Sequence, residues 1–99
     1  MPSVADEPVD PSVIAEVETD LRAQLDFVRE QMRTLKRQHQ RAVLLRQIYD
    51  HDPLTRERFH MLVAHIEEYP GKVAELREEE RLLSNWLERC QRVREDSAA

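Results

Sequence analysis

The segment from Pro11 to Tyr49 contains no glycine, and its only proline is its first residue. Almost every residue in it is a fair or good helix former. Its apolar side chains recur at intervals of three and four, the spacing of one helical face. We call this set the N-terminal stripe: Ile14, Val17, Leu21, Leu25, Val28, Met32 and Leu35. The pattern predicts one helix about 58 Å long, whose stripe must be covered by the rest of the chain or by a second chain.

Composition agrees with a long, well-solvated helical structure. Charged residues make up 35% of the chain and hydrophobic residues 40%, with a net charge of −5. Such values are typical of coiled coils, whose surface is large relative to their core. The single cysteine, Cys90, cannot form an internal disulfide and favours a reducing compartment, the cytoplasm. No apolar run approaches the length of a membrane span, and the acidic N-terminus does not resemble a signal peptide.

Two further helices are predicted after the first one. Asp10-Pro11 is a helix start, and Asp52-Pro53 repeats that signature, which predicts helices over about 11–49 and 53–69. The run from Tyr69 to Lys72 has Pro-Gly at its centre, typical of a type II turn in which glycine takes a positive φ. A third helix is expected over about 72–94. Residues 1–9 are predicted to be a flexible acidic arm, 10–96 a single helical domain, and 97–99 a frayed tail.

Two all-α architectures fit these helices. In the preferred one, the chain reverses at Pro70-Gly71, and the broad apolar faces of residues 42–49, 54–66 and 82–93 form a three-helix bundle. The first half of the long helix then projects as a coiled-coil stem with an uncovered stripe. In the alternative, the later helices run on as one arm, and the chain is a long antiparallel helical hairpin kinked at Pro70-Gly71. The N-terminal stripe is an interface in the first architecture and core in the second.

The charges are segregated along the sequence. Residues 29–46 carry six basic residues and one acid, and four of the arginines recur at intervals of four: Arg29, Arg33, Arg37 and Arg41. Such a stripe could contact a nucleic-acid backbone or an acidic protein. Intramolecular pairing is the simpler interpretation, because an acidic cluster of similar size follows later in the chain: Glu75, Glu78, Glu79 and Glu80.

Other polar candidates support no catalytic or metal site. Glu57 and His60 have the Glu-x-x-His spacing of di-iron bundles, but His65 and Glu68 have the reverse order and do not complete a ligand set. Neither a metal nor another cofactor is therefore expected. His39 falls on the continuation of the N-terminal stripe and is expected to be either a partly buried spacer or a register-setting polar residue.

Three other positions have structural interpretations. Cys90 is expected to be an inert buried thiol. Trp86 is expected to be a core residue beside Leu82, Leu83 and Leu87, and the alternative is an exposed anchor for a partner. The acid–imidazole run from Asp50 to Asp52 is best explained by helix capping.

The leading hypothesis from the sequence is a non-enzymatic cytoplasmic adaptor, assembly or regulatory protein. It would bind itself or a helical partner protein through the N-terminal stripe by coiled-coil packing. The alternatives are a nucleic-acid-associated regulator using the Arg29–Arg41 stripe and a small acidic inhibitor that presents residues 75–80 to a basic site. Neither a membrane nor a small-molecule substrate is expected as a partner.

Overall fold

The computed structural model describes the backbone of residues 7–49 and 56–98, and the side chains of residues 7–49 and 60–97. Two long helices account for nearly all of it: α1, Pro11–Tyr49, and α2, Arg56–Ala98. They pack side by side in opposite directions as a hairpin with extents of 71 × 23 × 14 Å. Within the described ranges the chain is all-helical, with no strand.

The start of α1 is the one the sequence predicts. The backbone amide and the hydroxyl of Ser12 both donate hydrogen bonds to Asp10 Oδ1 at 2.8 Å. The carbonyl of Asp10 accepts from the amides of Val13 at 3.0 Å and Ile14 at 3.3 Å. Asp10 is therefore an N-cap, which satisfies backbone donors that have no partner within the helix, and Pro11 occupies the first helical position.

The capping contacts make a prediction about pH. The hydrogen bond from the Ser12 amide, and then that from its hydroxyl, lower the pKa of Asp10 below its ordinary value of 3.8. A carboxyl group whose pKa is lowered in the folded state stabilises that state above its unfolded pKa and loses this contribution as pH falls. Asp10→Ala should therefore lower the melting temperature at about pH 6, and the difference from wild type should shrink at about pH 2.5.

Asp10→Asn is the matched control for this measurement, because asparagine keeps a capping oxygen but does not titrate. It should melt close to wild type at both pH values. A difference between wild type and Asp10→Ala that is equal at both pH values would show that the ionised carboxylate has no part in capping.

The three-helix bundle with its projecting stem is wrong, and the hairpin alternative fits. The helices predicted over 53–69 and 72–94 are one continuous helix, with Pro70 inside it. Gly71 has no positive φ, so the type II turn predicted there does not form. The first predicted break, at residues 50–53, and the N-terminal residues 1–6 lie outside the described residues.

The need to cover α1 along its whole length explains why α2 continues through Pro70-Gly71. Proline in a helix interior costs about 3 kcal/mol, and glycine costs about 1 kcal/mol more than alanine. Each aliphatic side chain that is covered contributes about 1.5 to 3 kcal/mol. A reversal at Gly71 would leave about six side chains of the N-terminal stripe uncovered, so the continuous helix is favoured despite its local penalty.

The two helices meet along a seam in which contact positions alternate at three and four residues, as in a coiled coil. The centre of the seam is a cluster of the buried Leu25, Val28 and Leu83. Half-buried apolar side chains pack around this cluster: Leu21, Met32, Leu76 and Leu87. On α2 the same spacing continues away from the cluster to Val73, Tyr69 and Ile66, all half-buried.

Candidate protein-interaction surface

The structure covers most of the N-terminal stripe with α2 of the same chain. Ile14, Leu25 and Val28 are buried, and Leu21, Met32 and Leu35 are half-buried. Val17 differs, because 44% of its surface is exposed. Six of the seven residues predicted as an interface thus lie in the core of the hairpin, as the hairpin alternative requires, and any surface for another protein has to be sought elsewhere.

Glu18 takes the seam position that the sequence interpretation gave to Val17. Only 4% of Glu18 is exposed, and it lies one turn from Ile14 and three residues before Leu21. Its Oε2 accepts a 2.7 Å hydrogen bond from Arg94 of α2, and Arg22 Nη2 lies 2.7 Å from Oε1. Two guanidinium groups thus neutralise a carboxylate that would be costly to bury alone. The regular three-four spacing indicates this position, although a search for apolar residues misses it.

His39 also lies on the seam, half-buried as the sequence predicts. Its ring stacks on Tyr69 with 3.8 Å between ring centroids and 11° between planes. Its Nδ1 is buried and has no hydrogen-bond partner among the described residues. The stack ties the C-terminal third of α1 to the residue immediately before Pro70, so it fixes the register of the two helices where the local helix geometry is weakest.

The arginine stripe is distributed around α1 and is partly neutralised. Arg29 donates to Glu80 of α2 at 3.2 Å, while Arg33 pairs with Glu30 on its own helix at 2.6 Å. Arg37 and Arg41 make no ion pair with another described residue. Because a spacing of four drifts around the helix, the four side chains do not share one face. This arrangement does not form a continuous basic strip for a nucleic-acid backbone.

The acidic cluster is distributed in the same way. Glu80 pairs with Arg29 across the hairpin, and Glu78 pairs with Arg81 on α2. The hydrogen bond from Arg81 lowers the pKa of Glu78. Glu75 and Glu79 remain exposed without an ion pair to a described residue. Two of these four acids are thus engaged within the chain.

Cys90 and the histidines form no catalytic cluster in the described part of the chain. The Cys90 thiol is half-buried and donates a 3.6 Å hydrogen bond to the carbonyl of Ile14. His60 and His65 are exposed. Glu57 has no described side chain, and residues 50–52 lie outside the described residues. Among the described side chains no group of three or more His, Cys, Asp or Glu residues could hold a metal ion.

Trp86 is not the core residue that the sequence predicts. It is 44% exposed, whereas Leu83 is 2% exposed. The cause is its position: the seam passes through Leu83 and Leu87, and Trp86 lies beside that line on the flank of α2. An exposed tryptophan is one of the side chains most enriched at protein–protein contacts.

One side of the hairpin contains a shallow groove between the helices. A groove of about 480 Å³ is lined by Phe27, Gln31 and Leu35 of α1 and by Lys72 and Leu76 of α2, with neighbouring polar residues. A second groove of about 430 Å³ continues towards the C-terminal end of α1 and is lined by residues that include Gln38, Leu45, Leu62 and His65. We call this side of the molecule the groove face.

Residues spaced by seven positions share a helical face, so the groove face can be followed along both helices. Its inner rows flank the seam and are Val17, Gln24, Gln31, Gln38 and Leu45 on α1, and His65, Lys72, Glu79, Trp86 and Val93 on α2. Its outer rows are Val13, Asp20, Phe27, Thr34, Arg41 and Ile48 on α1, and Met61, Glu68, Glu75, Leu82 and Arg89 on α2.

Most of the large exposed apolar side chains are on this face. Phe27 is 63% exposed, Ile48 61% and Met61 75%. Val13, Val17, Trp86 and Val93 are each between 43% and 47% exposed and belong to the same rows. Leu44 and Val9 are the exceptions among the exposed hydrophobic side chains of the described residues. The opposite side holds the ion pairs of Arg22 and Arg29, so the two sides of the hairpin differ in chemistry.

Comparison with protein-family models, curated proteins and solved structures finds no match to this chain. The described part of the chain is a two-helix antiparallel hairpin with most of its large exposed apolar side chains on one side. Neither helix, over its described residues, contains a segment long and apolar enough to cross a membrane.

Proposed function

We propose that the protein is a non-enzymatic adaptor or assembly protein that binds a helical protein partner through its groove face. The observation that carries this proposal is the concentration of exposed large apolar side chains, Phe27 and Trp86 above all, along one side of a hairpin whose seam is already filled. Contiguous exposed apolar surface on a folded protein is typical of an interaction site. The proposed mechanism is helix-to-helix packing, as expected from the sequence. The surface proposed for it is the groove face and not the N-terminal stripe.

The shape of the face suits a helix as the ligand. The groove runs along the helix axes. Some apolar side chains of its face are one helical turn apart, the spacing at which a bound helix is contacted: Val13 and Val17, Leu45 and Ile48, and Leu82 and Trp86. Phe27 and Trp86 can act as anchors, because aromatic side chains bury a large area at a small cost in conformational entropy. The uncharged Gln24, Gln31 and Gln38 on the inner row of α1 allow a partner to approach without desolvating a charge on that row.

The cytoplasm remains the proposed compartment. Cys90 is a free thiol in the structure, and a protein with one unpaired, half-buried cysteine is suited to a reducing environment.

Site-specific photocrosslinking tests the proposed function. A photoreactive phenylalanine analogue would be placed at Phe27 and, separately, at Trp86, in cells that express the protein naturally. The matched controls carry the analogue at Arg33 and Arg81, whose side chains are 71% and 59% exposed and lie off the groove face. We expect protein adducts at Phe27 and Trp86 and few at the control sites, because the probe must lie in a buried contact to react efficiently.

The adducts would be identified by mass spectrometry, which separates adducts of this chain with itself from adducts with another protein. Equal adduct yields at all four sites, or no adducts at Phe27 and Trp86, would contradict the assignment of the groove face as the binding surface.

A further inference from the structure

We propose that the partner on the groove face is a second copy of this chain, related by a two-fold axis parallel to the helices. The two hairpins would then form a four-helix bundle with both turns at the same end. This inference rests on the proposed function, since it names the occupant of the same face. Two observations carry it: the heights at which α1 and α2 residues face each other, and the charges of the outer rows.

Contacts along the hairpin fix which residues of the two helices lie at the same height. His39 stacks on Tyr69, and Arg29 reaches Glu80. The helices are antiparallel, so each step back along α1 matches an equal step forward along α2. It follows that Phe27 lies level with about residue 82.

A two-fold axis along the helices places α1 of one copy over α2 of the other at unchanged height. The outer row of α1 then faces the outer row of α2 of the second copy, at the rim of the new interface. Asp20 faces Arg89 of the second copy, and Arg41 faces Glu68 of the second copy. Both of these pairs join opposite charges, and the symmetry repeats each pair, giving four attractive pairs in the dimer.

The charged residues of these pairs make few ion pairs within one hairpin, over its described residues. Asp20, Arg41 and Arg89 are exposed and make no ion pair with another described residue. Glu68 pairs with Lys72 on its own helix at 3.3 Å, with both side chains about half exposed. Four attractive rim pairs would thus form mainly from groups that the single chain leaves unpaired.

The apolar members of the outer rows match under the same operation. Phe27 faces Leu82 of the second copy, and Ile48 faces Met61 of the second copy. All of these except the half-buried Leu82 are more than half exposed in the single hairpin. No like charges face each other along these rows, so the face is self-complementary in both charge and apolarity.

The inner rows and the size of the face agree with this arrangement. Val17 comes opposite Val93 of the second copy near the open end, and Gln31 comes opposite Glu79, where an amide can donate to a carboxylate. The broad side of the hairpin measures 71 by 23 Å. That exceeds the roughly 800 Å² per partner of a standard protein interface.

A two-fold axis perpendicular to the helices is the competing arrangement, and it is less favourable. It places α1 over α1 and α2 over α2 in opposite directions. Asp20 would then face Arg41 of the second copy, and Glu68 would face Arg89 of the second copy, so the outer rows also join opposite charges. However, Glu79 would face Glu79 of the second copy near the centre, where like charges repel, and Phe27 would face Thr34 instead of an apolar side chain. The two arrangements therefore differ in the partner of Asp20, and a charge-reversal experiment can tell them apart.

The experiment measures the dimer dissociation constant by analytical ultracentrifugation at low salt for wild type, Asp20→Arg and Arg89→Glu. Each single reversal puts two like-charge pairs into the homodimer, and we expect dimerisation to weaken roughly tenfold or more. An equimolar mixture of the two variants restores both pairs in the heterodimer, so it should dimerise nearly as well as wild type. Circular dichroism should show unchanged helicity, since both positions are exposed.

The controls separate this arrangement from its alternatives. The mixture of Asp20→Arg with Arg41→Glu should not recover in our arrangement but should recover if the axis is perpendicular. Neutral Asp20→Asn should weaken the dimer less than Asp20→Arg.

The outcomes also separate this proposal from the proposed function. Wild-type protein that stays monomeric at the highest attainable concentration, or a mixture that does not recover, overturns the proposed dimer. If crosslinks at Phe27 then reach only another protein, the proposed function stands without the dimer. If the protein is monomeric and crosslinks fail at both Phe27 and Trp86, both proposals fall.

Discussion

Val28→Asp is expected to unfold the whole chain. Val28 is 2% exposed and packs in the cluster formed with Leu25 and Leu83. A carboxylate placed there loses its water without gaining a paired cation, which costs several kcal/mol per buried ion. That is comparable to the roughly 5 to 15 kcal/mol by which a domain of this kind is stable. Circular dichroism at room temperature should show loss of most of the helical signal and no cooperative melt.

Ala23→Asp is the matched control, because it adds the same charge to the same helix at an exposed position away from the seam. It should cost only the small difference in helix propensity, about 0.5 kcal/mol, and keep a cooperative melt. If Val28→Asp instead kept a cooperative melt with part of the helicity, residues 14–35 would be a separable stem, and the hairpin core described here would be wrong.

The beginning of α1 could be predicted from the sequence, because local and non-local signals agree there. Asp10 provides the cap, Pro11 the first position, and the absence of glycine leaves nothing to interrupt the helix before Tyr49. Cap chemistry acts over a few residues and needs no knowledge of the fold. For the same reason, the predicted start of α1 agrees with that of the structure.

The continuity of α2 through Pro70 could not be predicted in this way, because the local and the non-local signals disagree there. Pro70-Gly71 has the local chemistry of a turn, while the stacking of Tyr69 on His39 and the burial of Leu76 and Leu83 require a straight continuation. Local preference favours a break by a few kcal/mol, and the sum of long-range burial opposes it by more. The local preference for a break can be seen directly in the sequence. The free energy of long-range burial can be judged only once the topology is known.

The candidate surface could not be predicted from apolar pattern alone, for a related reason. Apolar character alone places Val17 on the seam and Trp86 in the core, whereas the structure buries Glu18 and exposes Trp86. Strict alternation of three and four residues, followed back from Val28 through Leu25 and Leu21, reaches position 18 and then Ile14. Passing through Val17 instead would need two consecutive steps of four. Helix spacing decides which positions are buried, and these positions are not always apolar. At Val17 and Trp86 an apolar residue stands at an exposed position, and both residues belong to the groove face.

Pro70→Ala is expected to stabilise the hairpin by about 3 kcal/mol. Pro70 lies inside α2 and cannot donate a hydrogen bond to the carbonyl of Ile66, which an alanine amide could reach. The side chain at position 70 is exposed, so its removal costs little packing. For a chain of this size, the melting temperature should rise by more than roughly 10 °C, as measured by circular dichroism at fixed protein concentration.

Gly71→Ala is a second test of whether α2 is continuous at Pro70-Gly71. The sign of its effect on stability distinguishes a continuous helix from a reversing turn. In the continuous helix Gly71 has no positive φ, and an added Cβ would meet no atom within 4 Å. Alanine should therefore stabilise by about 1 kcal/mol, and the gain should add to that of Pro70→Ala apart from local coupling between neighbours. In a reversing type II turn, glycine would need a positive φ, and alanine would destabilise instead. A fall in melting temperature for both variants would thus restore the three-helix bundle, because no other feature of the hairpin makes an exposed alanine unfavourable at either position.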